Sequence, residues 1–337
     1  MKKEWGKLSK ISNLKKSSNP YFIAEIGFNH LGNYNLAVKM IKAAKKSNAD
    51  AVKFQTYVPE EMVFKNTQHY RIIKNTALKF KEYLKLKSFC NKLNLDFITT
   101  PFDIQSIKIC KKINFDAIKI ASMDLNNPLL ISEVVKLKKP IIISTGMSSI
   151  REIQRSLKQI KNKKNLFLLH CVSNYPTRDA QSDLYFLKKL KKIHDWKIGF
   201  SDHTSGDFST IGAISVGAKI IEKHFTCNNK IKGADNKMSY NSKSLKHLIL
   251  KSREIYSSFL DKTKRSDIKN RNKMRRFFFF SKDLTENHTL KNEDLKFLRC
   301  KKYSSKLLSV DNYKKIINKK LTKNVSKDQV LTLGLTK

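Results

Sequence analysis

A chain of 337 residues has room for one large domain and a small one, and 40% hydrophobic beside 29% charged residues is the composition of a soluble, folded protein. Its apolar runs are short, such as residues 141–143 and 277–280, so a bilayer-spanning helix of roughly 20 residues is excluded; no apolar stretch follows the basic start, so no secretory signal and a cytoplasmic location are expected. The five cysteines (Cys90, Cys110, Cys171, Cys227, Cys300) are odd in number and contain no CxxC pair, which excludes a disulfide framework or a four-cysteine zinc site.

The formal charge of +41 raises the question of nucleic acid. The lysines are spread along the whole chain rather than in one stripe, and no nucleic-acid motif accompanies them. With many Asn and Ile residues beside them, they read as a coding bias towards AT. Neither specific nucleic-acid binding nor membrane binding is therefore expected.

Residues 1–20 are polar and basic without clear periodicity, an arm. From Tyr21 onward short β-branched or aromatic runs alternate with amphipathic stretches. Strands are predicted over residues 21–27, 51–57, 96–102, 117–122, 140–147, 166–173, 197–203 and 219–226. Leu36, Met40 and Ala44, with Val38 and Ile41 nearby, have helical spacing between the first two. Strands alternating with helices imply parallel pairing through right-handed crossovers, and eight units fit a (β/α)8 TIM barrel over residues 21–260. A doubly wound open sheet is the rival, disfavoured because no Gly-rich turn follows the first strand. Residues 261–276 read as a charged linker. Residues 277–337 form a small β module with an internal repeat, residues 282–290 echoing 323–331, with Asn287 and Asp328 where a left-handed turn residue is expected.

The strand ends are polar in every unit, and a barrel's active site lies on that rim. His203 and His224 end neighbouring strands, and the last strand also neighbours the first, which carries Glu25. A lone histidine is more often structural, but two imidazoles and a carboxylate converging on the mouth suit a first-row divalent ion. Lys53 and Lys119 end the second and fourth strands and feed one interior layer. Two ammonium groups buried together require a compensating anion, so a phosphate or carboxylate ligand is expected there. Ser122, Ser173, Ser201 and the backbone around Thr145-Gly146 supply neutral donors.

These motifs have an order. Ala24-Glu25-Ile26-Gly27 with Asn29-His30, Lys53-Phe54-Gln55-Thr56, Thr100-Pro101-Phe102-Asp103 and Lys119-Ile120-Ala121-Ser122 open the series. Ser144-Thr145-Gly146-Met147, His170-Cys171, Tyr175-Pro176-Thr177, Ser201-Asp202-His203 and Glu222-Lys223-His224-Phe225 complete it. The chain from Tyr21 onward resembles the sialic acid synthase family, and its tail resembles the β-clip of that family's antifreeze-like (SAF) module.

The resemblance implies condensation of phosphoenolpyruvate with an N-acetylated amino sugar, either N-acetylmannosamine or a 6-deoxy diacetamido hexose. The product is a nonulosonate, and phosphate leaves by C–O cleavage. It implies a manganese-type ion (magnesium or cobalt as substitutes) on His203 and His224, and phosphoenolpyruvate held by Lys53, Lys119, Ser122, Ser173 and Ser201. Glu25 would handle a proton or position the sugar, Gln55, Asp124, Tyr175 and Asp235 would bind substrate, and Arg299 would reach the N-acyl group from the partner of a domain-swapped homodimer. The Asp124-Leu125-Asn126-Asn127 run leans towards neuraminate or legionaminate synthases. Three features depart from the family: a shorter segment over residues 58–95, Gly233-Ala234-Asp235-Asn236 for Gly-Pro-Asp-His, and Arg299-Cys300-Lys301 for Arg-Pro-Gly. A catalytically silent sugar-binding homologue is the alternative reading.

Overall fold

The computed structural model describes residues 9–17, 19–194, 197–233, 235–260, 267, 270–299, 308 and 312–337. Eight strands close on themselves: β1 (Tyr21–Gly27), β2 (Ala51–Thr56), β3 (Asp96–Pro101), β4 (Ala117–Ile120), β5 (Ile141–Ser144), β6 (Leu166–His170), β7 (Ile198–Asp202) and β8 (Ile220–His224). All neighbours are parallel, β1 with β8 included, so no edge is left and the open-sheet alternative fails. Each predicted strand contains one of these. The predicted ends overrun where rim residues such as Ser122, Ser173 and His203 leave the ladder for the loops that carry the site.

Helices packed outside the strands bury their inward faces. In Tyr34–Lys46 those are Ala37, Met40, Ile41 and Ala44. At the opposite end of the barrel Asp50, Asp96 and Asp116 accept hydrogen bonds from the N–H groups of Phe22, Ile11 and Phe97. These carboxylates fasten the chain where each strand begins.

The amino-terminal arm is not featureless. A 3-10 helix, Ile11–Lys16, turns Ile11 and Leu14 into a core with Tyr21, Ile23, Ile98, Ile142 and Phe167. Two apolar side chains in a single turn are too short a signal for periodicity to detect. They plug the foot of the barrel.

The chain divides into two compact units, residues 1–260 and 261–337. Within the second, β9 (Arg276–Phe280) pairs antiparallel with β10 (Leu295–Arg299). The sequence repeat appears as a local two-fold: Leu284 and Val325 exchange both backbone hydrogen bonds, at 3.0 and 2.9 Å. Asn287 and Asp328 both take left-handed backbones, φ 63° and 65°. The two copies meet through single bridges rather than ladders. Cys300 and Lys301 lie outside the described residues.

Candidate active site

The C-terminal mouth of the barrel holds a cavity of about 540 Å³. Glu25, Lys53, Gln55, Lys119, Ser122, Ser173, Tyr175, Ser201, His203, His224 and Asp235 all line it. Asp124 is not among the lining residues; it sits in the 3-10 turn Ser122–Asp124, where burial pushes its carboxyl above the usual range. Arg299 is an exposed residue at the end of β10 in the C-terminal unit.

The floor is a closed charge network. Lys53 Nζ lies 2.8 Å from Glu25 Oε2 and 3.7 Å from Glu222 Oε2, and donates to Thr100 Oγ1 at 3.1 Å. Lys119 Nζ donates to Glu222 Oε1 at 2.7 Å, and Ser201 Oγ donates to the same oxygen at 2.8 Å. Burial pulls the Lys53 ammonium down, but Glu222 and Glu25 more than offset this and hold it above its ordinary value. Burial likewise opposes ionisation of Glu222, yet Lys119 and Lys53 hold its carboxyl well below the usual range. The anion expected beside the two lysines is thus supplied by the protein itself. Glu222 was within reach of sequence reasoning: it lies two residues before His224 on one strand, and so on the same face.

The same cavity has a second, tighter feature. The Gly146 N–H donates to Ser122 Oγ at 3.1 Å, and Ser122 Oγ lies 3.1 Å from Cys171 Sγ. A Cβ on residue 146 would fall 2.5 Å from Ser173 Oγ and 2.9 Å from both Cys171 Sγ and Ser122 Oγ. Only glycine lets those three side chains converge on one spot, a small polar cup suited to an oxyanion.

The imidazoles come together, but without Glu25. Although Glu25 is the register partner of His224 on β1, its carboxylate turns to Lys53 and receives Gln55 Nε2 at 3.2 Å. The expected cluster of two imidazoles and that carboxylate is therefore corrected to a pair, because the buried Lys53 ammonium, 2.8 Å away, takes the Glu25 carboxylate. Among the described residues no group of three or more His, Cys, Asp or Glu side chains is arranged to hold a metal ion.

The pair itself suits a metal. The rings of His203 and His224 have centroids 5.5 Å apart, and Tyr175 stacks 4.2 Å from His203. His203 Nδ1 donates to the Val172 carbonyl at 2.7 Å, which fixes the ring and leaves the Nε2 lone pair facing Ser201 Oγ at 3.4 Å. Burial, reinforced by His224, pushes its pKa down to about 3, so the ring is a neutral donor. His224 Nδ1 is buried without a hydrogen-bond partner, 3.3 Å from Asp235 Oδ2. Asp235 is held by Asn29, whose Oδ1 accepts the Asp235 N–H at 3.0 Å while its Nδ2 donates to Phe225 O and Ser239 Oγ. Two buried imidazoles lining one cavity suit a first-row divalent ion.

A closed parallel barrel with buried ionisable side chains converging on its C-terminal rim has the layout in which (β/α)8 barrels place their active sites. The NeuB family profile matches residues 40–264. The chain is 31% identical over 330 residues to the N,N'-diacetyllegionaminic acid synthase of Campylobacter jejuni, covering 92% of this chain and 98% of that protein. It is 28% identical over 343 residues to the pseudaminic acid synthase of the same organism, covering 96% and 98%. A crystal structure of the N-acetylneuraminic acid synthetase of Leptospira borgpetersenii in complex with citrate superposes with a TM-score of 0.71 at 34% identity, over 76% of this chain and 92% of that one. This chain belongs to the NeuB family, whose named relatives here make nonulosonic acids.

Proposed function

We propose that this protein condenses phosphoenolpyruvate with the open-chain aldehyde of an N-acetylated amino sugar to give a nonulosonate and inorganic phosphate. The observation that carries this reading is that the Lys53–Lys119–Glu222 network and the Ser122 and Ser173 hydroxyls line one cavity at the barrel mouth. Lys119 spends one of its three N–H bonds on Glu222, leaving donors for the anionic ends of phosphoenolpyruvate. The cup suits one such end, and Lys53 holds the other. His203 and His224 would hold a divalent ion, manganese, magnesium or cobalt, which when bound supplies Lewis-acid polarisation of an aldehyde oxygen. The enol carbon then bonds to the aldehyde carbon, water adds to the carbon bearing the phosphate, and phosphate leaves with the bridging oxygen. Gln55 and Asp235, on the outer wall, orient the sugar hydroxyls.

The same reading makes the tail a SAF-type module and the working unit a homodimer in which Arg299 completes the partner's site. It is supported by large apolar side chains exposed on loops and helix starts beyond the strand ends, Phe208 at 78%, Met147 at 73% and Leu129 at 72% exposure. The test is incubation with phosphoenolpyruvate, manganese and a panel of N-acyl sugars, read by product mass and phosphate release. A nonulosonate mass with stoichiometric phosphate is expected. Phosphate labelled at the bridging oxygen confirms C–O cleavage, and label kept in the sugar product contradicts it. Sugar binding without turnover at any metal concentration would favour a silent homologue.

A further inference from the structure

Behind the imidazole pair, on the far side of the barrel wall, lies a second buried ion pair. Asp202 and Lys223 are register partners on β7 and β8 and immediately precede His203 and His224. Side chains alternate across a strand, so imidazoles facing the mouth place Asp202 and Lys223 on the opposite face, towards the helices. Both are buried, at 1% and 2% exposure.

Lys223 Nζ lies 2.8 Å from Asp202 Oδ2 and donates to the carbonyls of Thr204 at 2.7 Å and Gly206 at 3.1 Å. It stands 4.5 Å from the centre of the Tyr240 ring. Asp202 also accepts the Thr204 N–H at 2.8 Å and the Thr210 hydroxyl at 2.6 Å. The network meets the main chain of both histidines: the gripped Thr204 directly follows His203, and Tyr240 bonds back to His224. The Tyr240 N–H donates to the His224 carbonyl at 2.8 Å, and the Thr177 N–H to the His203 carbonyl at 2.9 Å. A lysine on the strand of one imidazole thus grips the loop that follows the other.

A buried ion pair is a poor way to gain stability, since an apolar pair of similar volume does as well without the desolvation cost. What an ammonium provides and an apolar side chain does not is direction: three acceptors on a neighbouring segment are held at hydrogen-bond distances. We propose that Lys223, with Asp202 and Tyr240, is a positioning clamp that sets the separation and orientation of His203 and His224, and through them the affinity for the divalent ion. This rests on the imidazole pair being the metal site.

The experiment titrates manganese into the full chain, reading free ion by electron paramagnetic resonance, beside thermal unfolding and imidazole ¹⁵N spectra. Asp202→Asn/Lys223→Met, neutral and close in shape, is expected to unfold near the wild-type temperature yet bind manganese roughly 10- to 100-fold more weakly. Its two imidazoles should also show shifted or broadened resonances where the wild type has sharp ones. A folded double variant with unchanged affinity overturns the clamp. If wild type and His203→Ala bind manganese alike, the metal reading itself has failed. The clamp is then judged on the ¹⁵N spectra, and unchanged imidazole resonances overturn it. Should the double variant not fold, Lys223→Arg, which keeps the charge with a different fork, goes through the same titration and spectra. Weaker binding or altered resonances are expected, and wild-type values in both overturn the proposal.

Discussion

Glu222 is shared between two buried ammonium groups, so removing its charge leaves both of them short of a partner. Glu222→Gln leaves Lys53 with Glu25 alone and Lys119 with no carboxylate. Breaking a buried pair in this way costs about 3–5 kcal/mol. Inorganic phosphate should then substitute for the missing anion. Thermal unfolding is expected to show a lower Tm for the variant and a larger phosphate-induced rise than in wild type; equal rises would remove Glu222 from the anion site. His30 gives a pH prediction from the same physics. Burial pushes its imidazole pKa down to about 4, against about 6.5 in an unfolded chain. The unfolded state therefore takes the proton first, so His30's contribution is complete above about pH 6.5 and is lost as pH falls towards 4, by about 3 kcal/mol at the limit. His30→Gln should lose less Tm between pH 7 and pH 5 than wild type does.

Elements that touch little in sequence carry weight in the fold. The turn Ile11–Lys16 is read from the sequence as part of a polar arm, yet Ile11 and Leu14 are 0% and 4% exposed against the strand feet. Ile11→Ala or Leu14→Ala is expected to cost about 2–5 kcal/mol, measured by denaturant unfolding, whereas a true arm would give no change. The eight strands were legible because each is a short run of mainly β-branched, aromatic or other apolar residues closed by polar ones. Their ends were less so, because the same polar residues that mark the rim leave the ladder to face the mouth. In the C-terminal unit the repeat was visible as sequence, and the positive φ of Asn287 and Asp328 follows from turn chemistry. That the two copies pair with each other, Leu284 to Val325, is a long-range contact that no local pattern encodes.

At the scale of the molecule, the proposed dimer has a genetic test. A Lys53→Ala chain has a dead barrel and an Arg299→Ala chain a dead tail. If Arg299 acts across a two-fold dimer, random mixing restores roughly a quarter of wild-type phosphate release; if it acts within its own chain, activity stays at the level of the separate variants. The charge of +41 makes a further prediction. Association with DNA or RNA is electrostatic and should vanish near physiological salt in a gel-shift titration. Tight, sequence-dependent binding there would restore the nucleic-acid reading.

The sequence alone determined the barrel, the division near residue 260 as an expectation, and the polar strand-end residues Glu25, Lys53, Lys119, Ser201, His203 and His224 that line the mouth, because strand alternation and polar strand ends are local properties. Tertiary structure decided which of those residues partner one another. Glu25 and His224 are register neighbours, yet the carboxylate turns to Lys53, since the strongest nearby field in a buried site is that of an unpaired ammonium. Glu222, Asn29 and Lys223 entered for the same reason. Their importance lies in closing the charge and hydrogen-bond balance of groups brought together from distant parts of the chain, and that balance exists only once the barrel is closed.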